Sequence, residues 1–219
     1  MKPALFQKIN IIMKVLLING SPKQFGTTFT ALSEVERMLN QEGIETEIIH
    51  IGTGAMQGCT ACLGCDSESE TCIFDDLVNE VAEKAKTADG FIFGSPVYYA
   101  SANGSMISFM DRLFYSQSKY FTHKPGAAVV VARRAGTTAT LDQLNKYFLI
   151  NQMPIVSTQY WNMAFGNNPD EVKKDLEGLQ IMRTLGKNMA WLLKSIDAGK
   201  KAGIKPSEQE QRTRTNFIR

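Results

Sequence analysis

Lys14-Val15-Leu16-Leu17-Ile18 is a short, β-branched apolar run, and Asn19-Gly20-Ser21-Pro22-Lys23-Gln24-Phe25-Gly26-Thr27-Thr28 follows it directly. After that loop, apolar residues recur at Phe29, Leu32, Val35 and Met38-Leu39. A wholly apolar run of this length suits a strand buried on both faces, and the later spacing is helical. The chain therefore passes from a central strand through a Gly-, Ser- and Thr-rich turn into a helix. Such a turn aims backbone N–H groups and small hydroxyls at the positive end of a helix dipole, where an anion is stabilised. An ordinary strand-to-helix turn, with Thr27 or Thr28 capping the helix, uses the same residues. The loop is neither Gly-x-x-x-x-Gly-Lys-Ser/Thr nor Gly-x-Gly-x-x-Gly, so both common nucleotide motifs are excluded.

The same alternation continues along the chain. Glu45 to Ile51 reads as a half-buried second strand, and Leu77, Val78, Val81, Ala82 and Ala85 mark a helix that opens at Asp75-Asp76. Phe91-Ile92-Phe93-Gly94 is a third strand, followed by a helix from Ser105 to Ser116. Gly126 to Ala132 is a fourth strand, with a helix from Thr140 to Ile150 after it. Met153-Pro154-Ile155-Val156-Ser157-Thr158 reads as a short fifth strand, and Asp170 to Ile196 as a long last helix. Strands alternating with helices predict an α/β fold, a doubly wound five-stranded parallel sheet with right-handed crossovers. The expected organisation is an N-terminal extension over 1–12, one domain over 13–197, and a polar, basic tail or arm over 198–219.

The charge balance is 24 basic against 22 acidic residues, which gives no general attraction for nucleic acid or an anionic membrane. No apolar run approaches the ~20 residues of a membrane span. Residues 1–12 do not make a convincing signal peptide, and the expectation is that Met13 is an alternative start. All four cysteines fall between Cys59 and Cys72. An extracellular disulfide framework would spread them along the chain, so the expectation is a cytoplasmic protein with a metal or redox cluster.

In a doubly wound sheet the ligand sits at the carboxyl ends of the strands. Three loops converge there: Gly20–Thr28, Ser95-Pro96-Val97-Tyr98-Tyr99, and Arg133-Arg134-Ala135-Gly136-Thr137-Thr138. The first offers anion donors, the second aromatics on a Pro-stiffened backbone, the third arginines and backbone amides. Together they suit a ligand with a phosphate at one end and a flat heteroaromatic ring at the other. Taken singly, each has a plainer reading as a core aromatic or a solvated charged pair. His50 reads as a strand residue and His123 as a loop residue.

Cys59-x-x-Cys62-x-x-Cys65-x6-Cys72 is the sharpest local pattern. Four thiolates on one short loop can converge on a single metal or a cubane cluster. Three successive cysteines at x2 spacing favour an iron–sulfur cluster over zinc, whose ligands usually come as two separated pairs. Free redox-active thiols are the third alternative.

Gly20-Ser21-Pro22-Lys23-x-x-Gly26-Thr27-Thr28 is similar to the Gly-Ser-Pro-Arg-x-x-Gly-Asn-Thr phosphate loop of the flavodoxin-like NAD(P)H-dependent FMN reductases. Ser95-Pro96-Val97-Tyr98-Tyr99 with Phe109-Met110-Asp111-Arg112 resembles that family's flavin-ring loop and following helix. Arg134-Ala135-Gly136 resembles its second ring-contacting loop, and the cysteine spacing resembles the iron–sulfur flavoprotein branch. Lys23 stands for the usual Arg and Thr27 for the usual Asn. The resemblance covers 13 to 195 and implies a flavodoxin-like strand order of 2-1-3-4-5, with FMN as cofactor.

By that resemblance, Ser21, Lys23, Thr27 and Thr28 hold the phosphate. Ser95, Pro96, Val97, Tyr98 and Tyr99 line the ring, and Arg134, Ala135 and Gly136 close its other side. Cys59, Cys62, Cys65 and Cys72 are the metal ligands, of a [4Fe–4S] cluster where one is present. The implied function is an FMN-dependent oxidoreductase passing electrons from NAD(P)H to a quinone, flavin or similar acceptor. The alternative is an iron–sulfur flavoprotein relaying electrons between a ferredoxin-type partner and FMN. No side chain is nominated as a catalytic acid or base, because the redox chemistry belongs to the flavin. A homodimer or homotetramer is implied, with Trp161-Asn162-Met163 and the tail as candidate contacts.

Overall fold

The structure, a computed structural model, describes residues 13–66 and 71–208, with 210, 211, 213–215 and 217 beyond them. The expected extension over 1–12 lies outside the described residues. The elements run β1 (Lys14–Asn19), α1 (Thr27–Gln41), β2 (Glu45–His50), α2 (Leu77–Thr87), β3 (Gly90–Tyr98), β4 (Ser101–Ala102) and α3 (Gly104–Gln117). They continue with β5 (Gly126–Ala132), α4 (Thr137–Ile150), β6 (Met163–Phe165), α5 (Pro169–Val172) and α6 (Leu176–Lys201). The sheet order is β2-β1-β3-β5-β6, with the two-residue β4 antiparallel to the end of β3. Its five main strands are all parallel, in the order the resemblance implies.

Alternation along each strand builds two cores. Val15 and Leu17 of β1, Ile92 of β3 and Val129 of β5 face α1 and α6. Leu16, Ile18, Phe91, Phe93 and Val130 face α2, α3 and α4. On the second face Phe93 packs against Phe114 and Phe148 at ring separations of 5.4 and 5.7 Å. Fully burying one such ring stabilises by about 2–3 kcal/mol, so this cluster fixes α3 and α4, and with them the loops they carry. No helix among the described residues is long and apolar enough to cross a membrane.

Three boundaries differ from the sequence reading. The fifth strand is Met163–Phe165, not the run from Met153 to Thr158. That run touches β5 only at an isolated bridge between Ile155 and Gly126, where Gly126 N–H donates to Pro154 O and Val156 N–H to Gly126 O. Pro154 has no N–H of its own for a ladder. The chain then turns through Thr158, and Val130 N–H donates to Asn162 O as β6 begins. This buries Asn162 and Met163, leaving Trp161 as the exposed member of the proposed contact.

The second difference is β3, which continues through Ser95, Pro96, Val97 and Tyr98 rather than ending at Gly94. Pro96 lies beyond the last β3 residue paired with β1, where the strand has become an edge on that side. The third is the long last helix. Asp175 breaks it, accepting from Gly178 N–H at 2.9 Å as the cap of α6 and from Phe165 N–H at 2.7 Å. The α6 helix then runs on to Lys201, into the segment expected to be tail.

Candidate functional site

The loop after β1 is closed by its own backbone and by the strands beside it. Asn19 is buried, accepting from Ser21 N–H at 3.1 Å and donating through Nδ2 to Gln24 O at 2.9 Å. Lys23 N–H donates to Ser21 Oγ at 3.1 Å, and Gly26 N–H to Lys23 O at 3.1 Å. Gly20 lies so close to β3 that a Cβ there would stand 2.9 Å from Gly94 O and 2.8 Å from Met106 Sδ. The cap of α1 is Gly26 rather than Thr27 or Thr28, and no side chain caps the helix. Its first-turn N–H groups therefore have no intrahelical partner and point out of the loop. Thr28 is fully buried, and its Oγ1 has no hydrogen-bond partner among the described residues. A buried orphan hydroxyl beside an uncapped helix end is what a site for an absent anion leaves behind.

A cleft of about 270 Å³ opens in front of this loop. Ser21, Lys23 and Thr27 form one wall, and Pro96, Val97 and Tyr98 another. These are six of the twelve residues expected to hold the cofactor. The other six stand outside its walls. Thr28 is buried in the first turn of α1. Ser95 lies beneath the hairpin, donating to Pro96 O at 2.9 Å and accepting from Asn103 N–H at 3.0 Å. Tyr99 is wholly exposed at the tip between β3 and β4. Tyr99 and Ala100 have φ of 51° and 57°, the two left-handed residues of a type I′ turn. Arg134 and Ala135 are exposed. Gly136, at φ 91°, caps α4 and packs so closely on Ala100 that a Cβ would meet its Cα at 2.8 Å.

The cleft has a third wall that the sequence reading missed: Arg133 with Asn167 and Asn168. The Arg133-Arg134 pair was visible, but which arginine faces the cleft depends on how β5 ends. Asn167-Asn168-Pro169 carries a helix-start signal, and Asn168 Oδ1 accepts from Glu171 N–H at 3.0 Å to open α5. Lys23, Arg133 and Arg134 form no ion pair among the described residues, so the cleft and its rim are electropositive.

The cysteines lie on the long loop after β2. Cys59, Cys62, Cys65 and Cys72 all line one small cavity, of about 20 Å³, against α3. Ala61 and Leu63 have φ of 52° and 61°, so the loop reverses between successive cysteines. Gly64 N–H and the Thr60 hydroxyl hold the Cys62 thiol below its ordinary pKa. Burial, then the charge of Asp66, pushes Cys65 up. Among the described residues no three His, Cys, Asp or Glu side chains stand close enough to hold a metal ion; residues 67–70, between Cys65 and Cys72, are not among them. The donor set nevertheless fits a thiolate-ligated centre in kind, with four thiols on one wall.

Arg112 organises this loop from α3. Its side chain is 1% exposed and forms a two-pronged ion pair with Asp76, at 2.7 and 2.8 Å. It also donates through Nε to Cys72 Sγ at 3.2 Å, and to Gln57 O and Phe74 O at 3.3 Å. Burial works against the Asp76 charge, but Arg112 and the Val78 N–H outweigh it and hold the carboxyl below its usual range. Asn79 adds a clamp, accepting from Cys72 N–H and donating to Cys72 O and Phe74 O. Both roles escaped the sequence, because they depend on which loop packs against each helix.

The chain is similar to known proteins in both sequence and fold. The family described as NADPH-dependent FMN reductase matches residues 13–168. An iron–sulfur flavoprotein of Methanocaldococcus jannaschii is 35% identical over 192 residues, 84% of this chain and 99% of that protein. Among solved structures, RosB with bound 8-demethyl-8-formylriboflavin-5′-phosphate superposes with a TM-score of 0.66 at 15% identity, over 94% of this chain and 92% of its own. A flavodoxin from the domain Archaea gives 0.56 at 15% identity, over 83% and 99%. At that identity the two structures establish the flavodoxin-like fold alone. The chain belongs to the NADPH-dependent FMN reductase family, in its iron–sulfur flavoprotein branch.

Proposed function

We propose that this FMN-dependent oxidoreductase relays electrons between a ferredoxin-type partner and its flavin, by way of a [4Fe–4S] cluster on Cys59, Cys62, Cys65 and Cys72. The observation that carries the proposal is that all four thiols border one cavity, with Arg112 bonded to the Cys72 thiol and Asn79 to the Cys72 backbone. The relatives that are iron–sulfur flavoproteins support the same reading.

The FMN phosphate is assigned to Ser21, Lys23, Thr27 and Thr28, whose orphaned hydroxyl and uncapped helix end fit it. The ring is assigned to Pro96, Val97 and Tyr98, with Ser95 fixing their backbone. Tyr99, Arg134, Ala135 and Gly136 form the rim. When bound, FMN supplies the exchange between hydride-pair and single-electron chemistry. The chain's own residues bind the phosphate, orient the ring and offer N–H groups to its polar edge.

A second reading is favoured by the third wall of the cleft. Arg133, Asn167 and Asn168 give an open, polar and positive face suited to a phosphorylated nicotinamide donor. On that reading NAD(P)H reduces the flavin and a quinone, free flavin or similar molecule takes the electrons. In both readings the protein is cytoplasmic and a homodimer or homotetramer, with the exposed Tyr160–Trp161 pair as a contact.

Anaerobic purification with assays of iron, sulfide, zinc and FMN tests the first reading. Four irons and four sulfides per flavin are expected, with flavin bleaching by reduced ferredoxin. Bleaching by NADPH in a protein free of iron would put the second reading in its place.

A further inference from the structure

His50 ends β2 and is paired in register with Asn19, the last residue of β1. Its Nε2 lies 2.7 Å from the carbonyl oxygen of Ser21. A carbonyl only accepts, so Nε2 carries the proton and the ring is the donor. Ser21 is then held at three points. Its N–H donates to Asn19 Oδ1, its Oγ accepts from Lys23 N–H, and its C=O accepts from His50. Among the described residues its hydroxyl proton is the one polar hydrogen left uncommitted.

From this we infer that His50 is a positioning residue for the FMN phosphate, acting from the neighbouring strand to fix the Ser21 backbone so that its hydroxyl and the following N–H groups face the anion. The inference rests on the assignment of the phosphate to the Ser21 loop. Nothing in the local pattern Glu47-Ile48-Ile49-His50 marks this role. It follows from the parallel register that brings the end of β2 level with the loop after β1. The ring nitrogen contributes no bond to the ligand, so its effect is confined to the end of the site where the phosphate sits.

The test is a fluorescence-quenching titration of the apoprotein with FMN and, separately, with riboflavin, which lacks the phosphate. His50→Phe keeps a ring of similar size and removes the donor, and His50→Ala removes both. Each is expected to weaken FMN binding about five-fold, the net worth of one neutral hydrogen bond, while leaving riboflavin affinity unchanged. His50→Gln, whose amide N–H reaches the Nε2 position, is expected to restore FMN affinity. FMN binding by His50→Phe equal to wild type would overturn the inference, as would an equal loss for both flavins. Ser21→Ala separates the two levels. If it lowers FMN affinity but not riboflavin affinity while His50→Phe changes neither, the positioning role fails and the phosphate loop stands. If Ser21→Ala leaves the FMN-to-riboflavin ratio unaltered, both fall.

Discussion

The loop after β1 and the loop after β2 leave adjacent strands at the same end of the sheet, yet they are held in different ways. The first is short and self-bonded, and strand ends pin it on both sides, through Gly94 O and the His50 ring. The second is long and is held from outside itself. Its shape comes from Arg112 and Asn79 on helices that pack against it. The first resembles a preformed anion cradle, which binds without reorganisation. In the second, the backbone is anchored at the Cys72 end by Asn79, and its thiols border a cavity.

The largest test of this contrast is Arg112→Ala. Removing one partner of a buried ion pair costs about 3–5 kcal/mol, and because the Asp76 side chain is 33% exposed the expected loss here is about 2–3 kcal/mol. Chemical denaturation reads the loss, and hydrogen exchange should place it at residues 56–66 and 72–76. FMN affinity should hold. An equal loss of FMN binding would show that the two loops are one cooperative unit.

Gly20→Ala attacks the other side of the comparison. The added methyl would meet Gly94 O at 2.9 Å, a backbone atom that cannot swing away. Overpacking of this kind costs about 1–3 kcal/mol. FMN binding should weaken with it, while iron content is unaffected. Thr28→Val has the opposite sign in the two states. It removes a buried hydroxyl that has no partner among the described residues. Apoprotein stability should rise by about 1 kcal/mol, and FMN affinity should fall several-fold. A variant that loses stability without FMN would mean that the Thr28 hydroxyl is not reserved for a ligand.

The smallest effect is one of pH. The Asp76 carboxyl is held below its ordinary range, so its contribution is complete above the unfolded value of about 3.9 and is lost as pH falls through the lower, folded value. Exchange protection of the cysteine loop should therefore drop in acid below about pH 4, and Asp76→Asn should already lack that protection at neutral pH.

Much of this was legible in the sequence, for a definite reason. Strands β1, β3 and β5 are buried on both faces, and an apolar run such as Val15-Leu16-Leu17-Ile18 has no other use. The Ser21 loop and the cysteine spacing are local, so their residue types speak for themselves. The three-residue β6 was not legible, because Met153 to Thr158 is the more strand-like run and only the tertiary path shows that the chain leaves the sheet there. Arg112 reads as an ordinary charge on an amphipathic helix until Asp76 and Cys72 are placed around it. His50 depends on register, and Arg133 against Arg134 on the last residue of a strand. In each case the missing information is long-range.

The claim that joins the two loops is that electrons reach the flavin through the cysteine site. The direct measurement is anaerobic stopped-flow reduction by reduced ferredoxin, comparing the wild type with a Cys62→Ser variant loaded with the same amount of FMN. Rapid bleaching of the wild type and little or none of the variant is the predicted result. Equal rates of bleaching in the two proteins would contradict it.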